Sequence, residues 1–268
     1  MTTLVAWIGV DTHGPASVYI ASDSRISWKN VANTWDSVRK VFATYSYPEL
    51  FGYSGRVEFP VHILNQLVNT IDNCFLFSLD ADFDEKLEAI SKFIQNSFSE
   101  VPHKQSGFGT IIYATRIGFK MRSKFHVVEI KFNNGSITFQ EQILPTSSDI
   151  VTCSGSGVTE LKSMHEKWLG GVKEIGFSRF VFGALCDSLK KGNDKFSGGA
   201  PQLVGLYKHT PGLNFGIIFN GRRYFNGKLM DDFNSLLPKI EWRNELFERC
   251  DGANMSKLTD AQAQPRLQ

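Results

Sequence analysis

The chain has 268 residues, 42% of them hydrophobic and 21% charged, with a formal charge of +2; that suits one domain with a large core plus a tail. Lys and Arg are interspersed with Asp and Glu rather than gathered on a stripe, which argues against nucleic acid as a partner. Cys74, Cys153, Cys186 and Cys250 show no CxxC spacing, and the six His show no zinc-type spacing, so no metal site, cofactor site or disulfide framework is indicated.

The first residues lack the basic region and cleavage site of a signal peptide, and no apolar run reaches the roughly 20 residues of a membrane span. The expected compartment is the cytoplasm, with no membrane partner. In chain order, "TTLVAWIGV" and "SVYIASD" read as two strands joined across "DTHGPA", a Gly- and Pro-containing loop longer than a tight turn. Apolar residues occupy both alternating faces of these runs, so the strands are expected to be covered on both sides. Residues 61–75 and 84–98 carry apolar side chains at helical spacing and predict a helix pair. "FGTIIYATRIG", "FHVVEIKF" and "SITFQEQI" follow as strands, the last two joined at "NNG", a hairpin signal. Two more helices are expected at 158–168 and 177–190, then strands at "QLVGLYKH" and "LNFGIIFNG". Residues 231–250 read as a helical extension beyond a domain ending near 230. The polar segment 251–268 reads as a disordered tail. The order of strands, helix pair, strands, helix pair, strands predicts an α+β fold of two stacked, mainly antiparallel sheets between two helical layers.

Polar residues interrupt this pattern at few places. "ASDSR" puts Asp23 and Arg25 at the end of a buried strand, and "SVRKVF" puts Lys40 between Val38 and Phe42 on a stretch that reads as another. A buried Lys beside a buried Asp is either a structural ion pair or a tuned catalytic pair. Thr2, behind the start Met, reads by itself as an ordinary Thr rather than as a nucleophile. "FGYSG", "CSGSG" and "NDKFSGG" each read singly as a turn, a helix cap or a surface loop.

Taken together and in order, these stretches resemble the proteasome β-subunit and HslV-type peptidases, members of the N-terminal-nucleophile hydrolases. The resemblance spans about residues 2–220 and implies the four-layer αββα fold. It implies Thr2 as the nucleophile, exposed by removal of Met1, with Asp23 and Lys40 as its charged partners. Gly52 is implied as the oxyanion donor, and Ser156, Asp194 and Ser197 as residues that orient the terminal amine. Ile26, Val38 and Leu50 match the positions lining the pocket for the side chain before the cut bond. No helix stands before the first strand, which favours the catalytic kind of subunit over the noncatalytic one.

The implied activity is a threonine endopeptidase acting on polypeptide. A terminal amine with a pKa of about 7.7 to 8.0 can serve as the base for its own hydroxyl. The resemblance further implies a homo-oligomeric ring and an ATP-dependent unfoldase as a partner class. Two other readings stay open: an amidase acting on a small non-peptide amide, and a noncatalytic assembly subunit that keeps Met1.

Overall fold

The computed structural model describes residues 2–28, 33–102, 107–133, 135–171, 177–230 and 240–262. The chain opens with β1 (Leu4–Asp11) and β2 (Gly14–Ser22), followed by a short hairpin of β3 (Ile26–Ser27) and β4 (Thr34–Trp35). Then come β5 (Val41–Ala43), β6 (Glu49–Gly55) and the helices α1 (Glu58–Asp72) and α2 (Phe83–Glu100). Next in order are β7 (Phe108–Ile117), β8 (Lys124–Asn133), β9 (Ser136–Glu141), β10 (Asp149–Ser154), α3 (Val158–Gly171) and α4 (Arg179–Lys191). The last part holds β11 (Gln202–Tyr207), β12 (Leu213–Asn214), β13 (Gly216–Phe219), β14 (Arg222–Phe225), β15 (Lys228–Leu229), β16 (Trp242–Asn244) and β17 (Arg249–Cys250).

Two five-stranded sheets, ordered β10-β1-β2-β11-β12 and β5-β6-β7-β8-β9, carry the fold, and every strand pair within them is antiparallel. The unbroken apolar run of β1 is explained by what lies on either side of it. Leu4, Ala6 and Ile8 join the core between the two sheets, while Val5 and Trp7 join the core under α3 and α4. The second sheet likewise sends Phe51, Tyr53, Ile111 and Tyr113 toward α1 and α2. Helix, sheet, sheet and helix thus form the four layers that the sequence predicts. Among the described residues, no helix is long and apolar enough to cross a membrane.

The expected helices start and stop a few residues from the predicted positions, for local reasons. Asp82 caps α2: its carboxylate accepts from the Glu85 N–H at 2.9 Å, and Glu85 accepts in turn from the Asp82 N–H at 3.0 Å. Helix α4 ends at Gly192, whose φ of 65° is the left-handed conformation that glycine adopts without cost.

Three expectations are corrected. The β1–β2 connection is a tight turn, because Asp11 pairs with Gly14 and only Thr12 and His13 lie between; the additional residue is taken up by a register shift after Gly9. The expected helical extension at 231–250 is not helical where it is described: β16 runs parallel to β13, and β17 pairs with β16. It is held by burial, since Phe247 is 3% exposed and packs on Trp7, Tyr19 and Phe182. Residues 231–239 lie outside the described residues.

The segment read as a disordered tail is folded through residue 262, while 263–268 lie outside the described residues. Its polar composition serves local turns: Asp251 Oδ1 accepts from the Ala253 and Asn254 N–H groups, and the Leu258 N–H donates to Arg249 O at 2.9 Å. Short polar side chains that close turns look, by composition, like those that leave a chain unfolded.

One buried ion pair lies away from the predicted site. Lys86 Nζ on α2 donates to Glu49 Oε1 on β6 at 2.7 Å, and the Tyr113 hydroxyl donates to Glu49 Oε2 at 2.8 Å. Both charged side chains are essentially solvent-free, and burial pushes the Glu49 carboxyl up against the opposing pull of Lys86. Lys86→Ala is expected to cost about 3–5 kcal/mol, because it leaves a buried carboxylate without its cation. The double variant Lys86→Met with Glu49→Leu is expected to cost much less, and urea midpoints of the two variants check this.

Candidate active site

Three strand ends meet at one end of the sheet pair. Thr2 and Thr3 precede β1, Asp23 follows β2, and Lys40 precedes β5; all four are buried. Lys40 Nζ donates to Thr2 Oγ1 at 2.8 Å and to Asp23 Oδ1 at 2.8 Å. The Asp23 carboxylate also accepts three backbone N–H groups, from Thr3, Arg25 and Gly198, each at 3.0 Å. These donors and the Lys40 nitrogen replace the hydrogen bonds that water would give an exposed carboxylate. Burial pushes the Lys40 ammonium down from the usual lysine range, and the Asp23 charge and hydrogen bond oppose that push.

Gln202 is a member of this cluster that the sequence did not single out. It is buried at the start of β11, accepts from the Lys40 N–H at 3.0 Å, and donates to Val38 O at 2.6 Å and Asp23 O at 3.1 Å. One amide therefore ties the Asp23 segment to the Lys40 segment. Its only sequence signal is a polar residue at the head of the buried run "QLVGLY".

A second polar chain approaches from the other side. Ser156 Oγ and Ser197 Oγ each donate to Asp194 Oδ2 at 2.7 Å, and Thr3 Oγ1 donates to Ser197 Oγ at 2.8 Å. Thr3, unnoticed in the sequence, joins this chain to the Lys40 cluster. The loop before α3 presses against both threonines: Gly157 N–H donates to Thr2 O at 3.4 Å, and a Cβ on Gly155 would stand 1.8 Å from that oxygen. Gly155 also has φ of 107°, so two independent constraints demand glycine there.

The other predicted site residues are divided by the structure. Gly52 is not brought to Thr2. It sits within β6 opposite Val41 and Ile112, with its Cα against Leu4 and Ile20. The Tyr53 N–H donates toward β5, to Lys40 O at 3.1 Å, and the Arg56 N–H donates to Phe108 O on the opposite side. Amide directions alternate along a strand, so the Gly52 N–H points into the β6–β7 ladder. By the same alternation the Gly55 N–H points to the Lys40 side, at the end of the strand where φ reaches 95°. Leu50 is also corrected: it is fully buried in the core between the sheets, opposite Ala43 and Ala114, and lines nothing accessible. Ile26 and Val38 do flank the cluster, the Val38 N–H donating to Ser24 O next to Asp23.

Arg25 rigidifies this border. Its guanidinium grips Asp36 with two bonds of 2.7 Å and donates to Lys195 O at 3.0 Å, tying together the hairpin and the loop that carries Asp194. Among the described residues, no group of three or more His, Cys, Asp or Glu is placed to hold a metal ion. The arrangement offers a hydroxyl beside a buried ammonium, which lowers the cost of forming an alkoxide there.

No family model matches the sequence, and no curated protein does. Solved structures do match. HslV from Trypanosoma brucei superposes with a TM-score of 0.47 at 14% identity, covering 76% of this chain and 99% of that one. Anbu, the ancestral β-subunit, from Yersinia bercovieri gives 0.50 at 12% identity over 76% of this chain and 81% of that one. A Gly-1 mutant of Anbu from Hyphomicrobium sp. strain MC1 gives 0.50 at 12% identity over 87% and 89%. At these identities the likeness speaks to the backbone alone, and that to the two Anbu structures agrees with the layers and sheet orders above: the chain has the β-subunit-like fold of Anbu.

Proposed function

We propose that this protein hydrolyses peptide bonds with Thr2 as an N-terminal nucleophile. The observation that carries the reading is Lys40 Nζ, solvent-free and 2.8 Å from both Thr2 Oγ1 and Asp23 Oδ1. Cleavage of the Met1–Thr2 bond exposes an amine on the residue that bears the hydroxyl. That amine takes the proton from Oγ1 while Lys40 stabilises the developing alkoxide, and Oγ1 attacks the carbonyl carbon. We assign the oxyanion donor to the Gly55 N–H in place of Gly52. A donor of this kind is worth about a hundredfold to a thousandfold in rate. Collapse of the tetrahedral intermediate passes the proton from the Thr2 amine to the leaving amine and leaves an ester on Oγ1. Water, deprotonated by the same amine, then releases the acid. In this reading the chain Ser156, Asp194, Ser197 and Thr3 orients the terminal amine. The reading extends to a ring of identical subunits enclosing the Thr2 sites, with the faces of α1 and α2 as stacking surfaces.

The border at Ile26 and Val38 is apolar, so a charged side chain would lose hydration there without gaining a partner. Peptides with a fluorogenic group after Leu or Tyr are expected to be cleaved faster than those after Arg or Glu, by about tenfold to two-hundredfold. Assay of this set beside small non-peptide amides checks both the reaction and the preference. Turnover of the small amides with none of the peptides would count for an amidase, and faster cleavage after Arg or Glu would overturn the pocket.

A further inference from the structure

The end of the sheet pair opposite Lys40 holds a cavity that the chemistry at Thr2 does not use. The segments leading into β6, out of β7 and out of β11 meet the α1–α2 connection there and border about 550 Å3. That volume lies within the range of about 300–1,000 Å3 usual for small-molecule sites. Pro48, Leu79, Phe119 and Pro211 supply apolar walls. Leu79 and Phe119 are 62% and 53% exposed, so apolar surface is open to a ligand.

Arg116, at the end of β7, also lines the cavity and is only 7% exposed. Its Nε donates to Gly118 O at 3.1 Å, and its Nη1 donates to Tyr207 O and Thr210 O at 2.6 Å each. Those three bonds fix the guanidinium and use every N–H of Nε and Nη1. Both N–H groups of Nη2 are without a partner among the described residues, and the charge is paired there with no carboxylate. Glu49 already holds the Tyr113 hydroxyl and Lys86, itself on the lining. Asp80, the acid on the lining, is exposed and bonded by Ser78. Burial pushes the Arg116 guanidinium down from its usual range, with the Glu49 charge opposing. Thr210, whose carbonyl accepts from Arg116, has a buried hydroxyl with no partner. A buried cation and a buried hydroxyl with hydrogen-bonding capacity left over are costly until a ligand completes them.

We propose that this cavity binds an organic monocarboxylate, its charged group seated at Arg116 and Thr210 and its apolar body against Leu79 and Phe119. The carboxylate supplies the counter-charge that Arg116 lacks, through charge-assisted hydrogen bonds. One free guanidinium nitrogen suits a carboxylate better than a phosphate, because the further charged oxygens of a phosphate would be desolvated against apolar walls. The apolar body gains burial on side chains that now face water. A free acid offers this chemistry, and so does the terminal carboxylate of a chain that ends in an apolar residue. The inference stands apart from the reading of Thr2.

The test titrates 4-phenylbutyrate into the full-length protein, followed by saturation-transfer NMR, with the uncharged 4-phenylbutyramide as the matched control. The acid is expected to saturate one site with a Kd of about 1 mM or below, and the amide to bind about tenfold or more weakly. Arg116→Met is expected to weaken the acid by about tenfold or more, and Thr210→Val and Phe119→Ala by about threefold or more each. Thr2→Ala, at the other end of the sheets, is expected to bind it as the unmodified protein does. A peptide ending in Phe, with a free or an amidated terminus, separates the sources and upholds the site either way. Displacement of phenylbutyrate by the free-ended peptide alone assigns the cavity to chain ends, and no displacement by either peptide assigns it to free acids. Arg116→Met also removes three bonds between turns, so if it does not fold, Thr210→Val and Phe119→Ala decide. Equal binding of acid and amide, no saturation by about 10 mM acid, or undiminished binding in folded Arg116→Met or in both other variants would overturn the inference.

Discussion

Thr2→Ala is expected to fold and to lose peptide turnover by more than about a thousandfold, while Thr2→Ser keeps measurable activity. In the proposed mechanism this one residue supplies both the attacking oxygen and, through its amine, the base. Removing the hydroxyl leaves the base with nothing to activate. The fold should survive, because Thr2 lies ahead of β1 and Lys40 keeps its bond to Asp23 when the bond to Thr2 Oγ1 is lost. Intact mass of the active protein is expected to show that Met1 is gone. Full activity in pure Thr2→Ala protein, or in protein that retains Met1, would end the assignment.

Lys40→Met is expected to be as inactive as Thr2→Ala and also less stable. Its nitrogen pairs with Asp23 and lies in hydrogen-bond contact with Thr2 Oγ1. Taking one partner from a buried pair costs about 3–5 kcal/mol, and the lower end is expected here because Asp23 keeps three backbone donors. A denaturant series separates the two effects: folded Lys40→Met protein assayed well below its unfolding midpoint should still be inactive. Activity near that of the unmodified protein under those conditions would make Lys40 a structural cation and nothing more.

The layers of this fold are legible in the sequence because they follow from short-range patterns. A run such as "LVAWIGV" with no polar face has to be covered on both sides, and the helix pairs carry their 3.6-residue spacing in full view. Asp23 and Lys40 stand out for a related reason: a charge flanked by buried residues is costly and therefore conspicuous. The same lack of a polar face hides the register. In a strand buried on both sides nothing in the residue types says which way a given amide points, so Gly52 and Gly55 look alike until β5 and β7 are paired with β6, and Leu50 resembles a pocket residue until the second sheet covers it. Gln202 lies 162 residues from Lys40 along the chain, and Phe247 reaches back to Trp7. Such partners are chosen by where distant strands come to rest, because the hydrogen bonds of an amide and the packing of a ring depend on position in space and leave no spacing in the sequence to read.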